Sequence, residues 1–530
     1  MPTKHFVLFC CSLLLVSECA GQTFDERFDD WPLKTTVSGT LVIGVNVDDL
    51  APLAPLLAGS SDEKKVSLLL DDRSDFEPPE SAEVYDSKAD SRGDWIRQQL
   101  KESDCLIWMA ASDQDINLVN DVANDVRSFL NRGGSLALIG PHGAAAASKY
   151  LNESNSDQEW QIGLNLIPDC ILNVASKESA ESPSMMEALW KTPRHFGIEL
   201  HEGTLLVLKG RKFRVINDGV AVFQLAECEW LSGRRQVLRK QSGRERPYHY
   251  LVDLTEWRRG AIDRALEQFP SKSPRTPHVE NGTLFIVGGG GMPDGLMEQF
   301  IEAAGGKENA RLVYVPCSEQ AEVSSRQRTV EAWKQRGVKH ATFIHTKDRA
   351  KANTDAAFYA PLKDATGIWF GGGRQWNFAD SYYGTETHRL MKDVLRRGGV
   401  VGGSSAGASI QGRYLARATP IENFRIMAPG YERGGLGFLS GVAIDQHFSQ
   451  RGRQKDMTKL VNRYPQLLGI GIDEATALIV TGSIGTVVGK GNVFFYDRKT
   501  QAAGDDPDYL ALPAGSKFDL ADRRILHHAN

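Results

Sequence analysis

Three polar residues in the C-terminal half of the chain stand in settings that suit nucleophilic catalysis. Ser405 lies in "GGSSAGAS" (402–409), where Gly403, Ser405 and Gly407 have the spacing G-x-S-x-G. Small residues on either side let the backbone turn sharply. That would leave Ser405 Oγ exposed at the end of a strand, with the Ala406 N–H aimed at a developing oxyanion. In a chain with 51 glycines, a glycine-rich turn without chemistry is the alternative. A serine hydroxyl needs a base, and the base needs a group to orient it. His447 in "IDQHFSQRGR" ends an apolar run, and Glu474 in "GIGIDEATALIV" separates two apolar stretches. A carboxylate there is costly unless paired. Taken singly, each is an ordinary polar or loop residue; together with Ser405 they make a Ser, His, Glu set. Their chain order is serine, histidine, acid, whereas α/β-hydrolases run serine, acid, histidine, so that fold is disfavoured.

The elements that must position these residues follow from apolar patterning. "TLFIVGG", "RLVYVP", "TGIWFGGG" and "GGVVGGSS" read as strands ending in loops, and "DGLMEQFIEAAGG" and "ETHRLMKDVLRRGG" as helices closed by glycine. "ALIVTGSIGTVVGKGNVFFYD" reads as a hairpin or meander after the α/β part. This alternation predicts βα units on a mostly parallel sheet, whose sites open at the strands' carboxyl ends.

The same pattern occurs earlier. "GIELHEGTLLVLKG" from Gly197 lies under "GIGIDEATALIVTG" from Gly469 at an offset of 272 residues. That offset also pairs Gly163 with Gly435, Pro193 with Pro465 and Gly219 with Gly491 without a gap. The sequence therefore predicts a duplicated unit. The expected organisation is a leader at 1–22, a first unit at 36–224, a basic solvated connector at 225–275, a catalytic unit at 276–500 and a tail at 501–530.

Residues 281–497 resemble the cyanophycinase and dipeptidase E group of serine peptidases. The resemblance is carried by "GGGGMPDGLMEQFIEAAGGKENARLVYVP", "IWFGGGRQ" as a G-G-x-Q loop, "GGSSAGAS", "IDQHFSQRGR" and "GIGIDEATAL". It implies a doubly wound, three-layer α/β sandwich of flavodoxin-like or class I amidotransferase-like type, here in two tandem copies. It also implies Ser405 as nucleophile, His447 as general base and Glu474 as its orienting acid. Ala406, Gly372 and Gly373 would form the oxyanion site, and Gln375, Asp445, Arg451 and Arg453 would bind substrate. Family members cleave peptide bonds at aspartyl residues, and cyanophycinases cleave a polyaspartate chain whose side carboxyls carry arginine. A pair of guanidinium groups suits such a substrate, because each can hold a carboxylate by two hydrogen bonds. Two departures fall in the recognition region: Arg374 replaces an acidic or amide residue, and "QKDM" supplies Lys455 and Met457 where an arginine and a leucine are usual.

In the first unit the catalytic positions are altered. With both turns aligned on their shared "YL", Ser405 falls on Pro141. At the offset of 272, His447 falls on Ala175 and Asp445 on Asn173, while Glu202 stays under Glu474. The first unit is expected to be inactive, either an internal dimer partner or a cover for the site, with His142 a surface or capping residue. The protein is then an internal pseudo-dimer or a homodimer.

Composition excludes other classes. The 530 residues have a net charge of -5, with 41% hydrophobic and 24% charged residues, which offers no electrostatic reason for a nucleic acid or anionic membrane partner. "VGGGGMPDG" lacks the spacing of a dinucleotide loop, so a nucleotide-binding module is a remote alternative. No cluster of His, Cys and carboxylates has metal-ligand spacing, and no cofactor is expected. "MPTKHFVLFCCSLLLVSECAGQTF" has a basic residue at Lys4, an apolar stretch from Phe6 to Val16, and small residues at Ala20 and Gly21. It reads as an export signal too short to span a bilayer, and Glu18 argues against lipid attachment at Cys19. Its removal leaves Cys105, Cys170, Cys228 and Cys317, expected as thiols in mostly apolar settings. The sequence thus supports an exported serine peptidase acting on a peptide or polyaspartate-arginine substrate. Its alternatives are an aspartyl or isoaspartyl dipeptidase with the same triad, and a catalytically silent exported binding protein.

Overall fold

The computed structural model describes residues 37–529 except 45–46, 48–49, 54–64, 70–81, 86–90, 110–113, 152–159, 176–182, 242–249, 422–423, 501–503 and 505–506. The leader read at 1–22 lies outside the described residues, as do Cys10, Cys11 and Cys19.

In the second unit the large sheet has, in spatial order, the strands His340–Phe343, Arg311–Val315, Gly367–Phe370, Val400–Ser404, Val279–Val287, Thr476–Gly482, Ile484–Gly489, Lys517–Asp519 and Arg524–His527. The first five are parallel neighbours, and the Thr476–Gly482 strand joins antiparallel to Val279–Val287. Alternate residues of the central strand enter different cores, as the two-residue period of a strand requires. Phe285 and Val287 pack under the helices Leu296–Ala303 and Arg328–Gln335. Leu284 and Ile286 pack toward the helices Trp376–Tyr382 and Glu386–Arg396 and toward a smaller sheet. That sheet is formed by Gly412–Tyr414, Leu439–Gln446, Leu468–Ile472, Asn492–Asp497 and Leu510–Pro513. Its outer face is sealed by Met457, Leu460 and Val461 of the helix Gln454–Arg463.

The first unit repeats this plan. Its large sheet runs Glu83–Val84, Val66–Leu69, Cys105–Met109, Ser135–Ile139, Val37–Gly44, Leu205–Gly210, Lys212–Val215 and Val252–Asp253, with the same change from parallel to antiparallel pairing after the central strand. In the smaller sheets Cys170 pairs with Phe196 and Val442 with Leu468, so both partners keep the offset of 272. Helix packing keeps it too: a Cβ on Gly197 would stand 2.5 Å from Met185 Sδ, and one on Gly469 2.8 Å from Met457 Sδ. Both glycines admit a methionine from a covering helix.

Four expectations need correction. Residues 225–275 are no solvated connector, because Arg234–Arg239 forms an edge strand and Leu254–Ala265 a helix with ten buried residues. That helix is wedged between the units: Trp257 packs on Phe196 and Phe223, and a Cβ on Gly430 of the second unit would come within 2.4 Å of the Glu256 carbonyl. Residues 501–530 are more than a tail, since strands there extend both sheets of the second unit. The counterpart of Ser405 is Gly140, because the Gly140 N–H donates to Gly44 O as the Ser405 N–H donates to Val287 O. One residue more separates the turn from the shared tyrosine in the first unit, which is why matching the "YL" ends selected Pro141. Finally, His142 is fully buried, with its ring 5.3 Å from that of Trp108, and burial pushes its pKa down to about 3.

Candidate active site

Ser405 caps the central Val400–Ser404 strand, and its backbone has φ 58° and ψ −114°. A positive φ in a non-glycine residue is strained and lifts the side chain out of the sheet. Space for that turn comes from small neighbours: a Cβ on Gly403 would meet the Gly407 carbonyl at 2.3 Å. Ala406 is buried and opens the short helical turn Ala406–Ser409. Beside it runs the Gly371–Gln375 loop, where a Cβ on Gly372 would stand 3.5 Å from the Ser405 Cβ. Gly373, with φ 147°, closes over Cys317, whose thiol is pushed up to about 12 by burial. At neutral pH that sulfur is protonated and no rival nucleophile.

His447 and Glu474 reach Ser405 from the carboxyl ends of adjacent strands in the smaller sheet. His447 Nε2 is 2.9 Å from Ser405 Oγ, and His447 Nδ1 is 2.5 Å from Glu474 Oε1. A carboxylate on Nδ1 selects the tautomer that carries its proton there, leaving Nε2 to accept from the serine hydroxyl. The imidazole is nearly buried, whereas the Glu474 side chain is about one-third exposed. Burial lowers the His447 pKa below the ordinary imidazole value; Glu474 opposes that shift, while Arg451 and Arg453 reinforce it.

The glycine run 288–291 explains how these groups fit. Gly288 O accepts from the His447 N–H and Gly289 O from the Ala475 N–H, both at 2.8 Å. A Cβ on Gly289 would stand 2.3 Å from His447 Cε1, and one on Gly290 2.3 Å from Glu474 Oε2. The loop that superficially resembles a dinucleotide motif is therefore filled by the imidazole and the carboxylate.

Of the residues expected to bind substrate, Arg451 alone is exposed, with its backbone N–H donating to His447 O. The other three are buried and hydrogen-bonded within the protein. Asp445 is fully buried and accepts from Arg417 Nε and from Arg453 Nη1, each at 2.8 Å. Gln375 is buried and donates to the carbonyls of Ala416 and Arg417. These residues brace the site from behind. Arg417 also donates to Asp456 at 2.8 Å, a bridge that sequence reading missed because the two residues lie 39 positions apart. Met457 is buried in the core, Lys455 is exposed, and the Arg374 guanidinium lies 4.3 Å over the ring of Phe424, which is 45% exposed. Among the described residues no group of His, Cys, Asp and Glu could hold a metal ion.

Residues 284–488 match the model of peptidase family S51. A cyanophycinase of Geminocystis herdmanii is 27% identical over 226 residues, covering 41% of this chain and 82% of that protein. One of Trichormus variabilis is 25% identical over 284 residues, 49% of this chain and 92% of its own. Among solved structures, a peptidase from an acI-B1 actinobacterium is 24% identical, with a TM-score of 0.33, covering 45% of this chain and 97% of that one. Residues 284–488 thus carry a peptidase family S51 domain similar to that of cyanophycinases.

Proposed function

We propose that the protein is an exported peptidase that cleaves peptide bonds at aspartyl residues, with cyanophycin or a related aspartate-rich peptide as substrate. The observation that carries this reading is the continuous chain of contacts from Ser405 Oγ through the His447 imidazole to Glu474. In this reading Ser405 Oγ attacks the scissile carbonyl while its proton passes to His447 Nε2. The N–H groups of Ala406 and of the Gly372–Gly373 loop hold the oxyanion, and the imidazolium protonates the leaving amine. Water, activated by His447, then releases the acyl-enzyme. The exposed guanidinium of Arg451 supports an acidic substrate, as does the kinship with cyanophycinases. Export rests on the basic and apolar leader, and no helix among the described residues is long and apolar enough to cross a membrane.

The first unit is, in this reading, a silent copy. Gly140 stands where Ser405 would, Ala175 where His447 would, and Asn173 where Asp445 would. One experiment tests both statements: the full chain and its Ser405→Ala variant are incubated with purified cyanophycin and, separately, with aspartyl dipeptides. Dipeptide release from cyanophycin by the wild type alone is the expected result. Activity on small dipeptides alone would make it a dipeptidase, and activity surviving in the variant would contradict both the nucleophile and the silence of the first unit.

A further inference from the structure

The two units are joined by a buried ion cluster that ends next to the catalytic loop. Arg211 sits in the hairpin between the strands Leu205–Gly210 and Lys212–Val215 of the first unit, yet its side chain crosses into the second. Its Nη1 donates to Asp380 Oδ2 at 2.7 Å, its Nη2 to Asp253 Oδ1 at 2.8 Å, and it also bonds the Tyr431 hydroxyl. Arg259, on the wedged helix, donates to Asp380 Oδ1 at 2.7 Å. Side-chain exposure is 8% for Arg211 and 0% for Arg259 and Asp380. Two arginines face two aspartates, with the buried Arg349 guanidinium close enough to act on both Arg259 and Asp380. Buried pairs of this kind stabilise little against an apolar replacement, but they fix geometry, and losing one partner strands a charge.

What this geometry fixes lies close to the chemistry. Asp380 belongs to the fully buried helix Trp376–Tyr382, which starts directly after Gln375 and hence directly after the loop carrying Gly372 and Gly373. The Arg211 guanidinium also lies 5.1 Å from the ring of Trp376, the first residue of that helix. At the same end the loop is also tied by Gln375, which donates to the carbonyls of Ala416 and Arg417. We propose that Arg211 is a positioning residue: the first unit, through the Arg211–Asp380 bridge, sets where the Gly372–Gly373 N–H groups stand over Ser405. This rests on the reading of Ser405 as nucleophile and of that loop as oxyanion donor. The unit without a nucleophile would then be part of the working enzyme, since a misplacement of about 1 Å can cost a hundredfold in rate.

The test uses the full chain and a fluorophosphonate probe, in which Ser405 Oγ displaces fluoride from phosphorus while its proton passes to His447. In Arg211→Lys the charge stays, but the forked contact to two aspartates and Tyr431 is lost. At a temperature well below its Tm, the labelling rate constant should fall by about 10- to 100-fold, the scale of a misplaced reacting group. The concentration giving half-maximal rate and the acid limb set by His447 should not move. Arg258→Met breaks the Arg258–Asp169 bridge, which ties the wedged helix to the first unit without reaching Asp380. It should lower Tm and leave labelling unchanged. If Arg258→Met slows labelling as much as Arg211→Lys, or if Arg211→Lys labels at the wild-type rate, the proposal is overturned. Should Arg211→Lys not fold, Tyr431→Phe decides, since it removes only the hydroxyl bonded to Arg211 and Asp380. A slower rate supports positioning, and an unchanged rate overturns it. A wild-type chain that fails to label would instead remove the reading of Ser405 itself.

Discussion

His447 works among unlike neighbours: Glu474 favours its charged form, whereas burial and the two arginines disfavour it. Because its pKa lies below the ordinary imidazole value, the base stays neutral into mildly acidic solution, and kcat/KM should fall only when pH drops beneath that value. Arg451 contributes to this depression from an exposed position. Arg451→Gln should therefore move the acid limb of kcat/KM to higher pH, measurable as a pH profile on any cleaved substrate; an unmoved limb would show that the charge does not reach the imidazole. Ser405, His447 and Glu474 were legible because each lies in a distinctive string whose residue types suit one chemistry. The Arg417–Asp445–Arg453 network was not, since Arg417 lies outside the "IDQHFSQRGR" string that holds Asp445 and Arg453, and only folding brings it to them.

Elements differed in legibility for a physical reason. Strands such as Val279–Val287 and Val400–Ser404 announce themselves as apolar runs because both faces of a parallel sheet are covered. The wedged helix "LTEWRRGAIDRA" carries charges all round and reads as solvated. It is buried nonetheless, because Asp380, Arg433 and Asp169 on the flanking units supply the counter-charges. The Gly288–Gly291 loop is the element with least room for change. Gly289→Ala would force a methyl into the His447 ring at a φ of 96°, so probe labelling of Ser405 should drop by about 100-fold or more while the far-UV spectrum stays native. Labelling at the wild-type rate would show that the loop can yield.

At the scale of the whole molecule, His142 of the first unit and His388 of the second are buried imidazoles, and burial pushes both down to about 3. A histidine depressed in the folded state binds its proton more readily when unfolded. Its contribution to stability is therefore complete above pH ~6.5 and declines as pH falls toward 3, by up to about 1.4 kcal/mol per pH unit for each ring. Thermal unfolding followed from pH 7 to pH 4 should show Tm falling steadily. A flat profile would mean that the rings find proton-accepting partners in the folded state. The offset of 272 was visible in the sequence, and in the structure it also relates the strand pairs Cys170–Phe196 and Val442–Leu468. It was misaligned only at the turn, where one extra residue put Pro141 in the place that folding gives to Gly140.

Residues 510–527 supply the outer strands of both sheets of the second unit. Without them, Ile484–Gly489 and Asn492–Asp497 would each present an open row of backbone donors and acceptors, which is a template for pairing with other chains. A chain cut before residue 510 would keep every member of the Ser, His, Glu set and yet expose two strand edges to pairing with other chains.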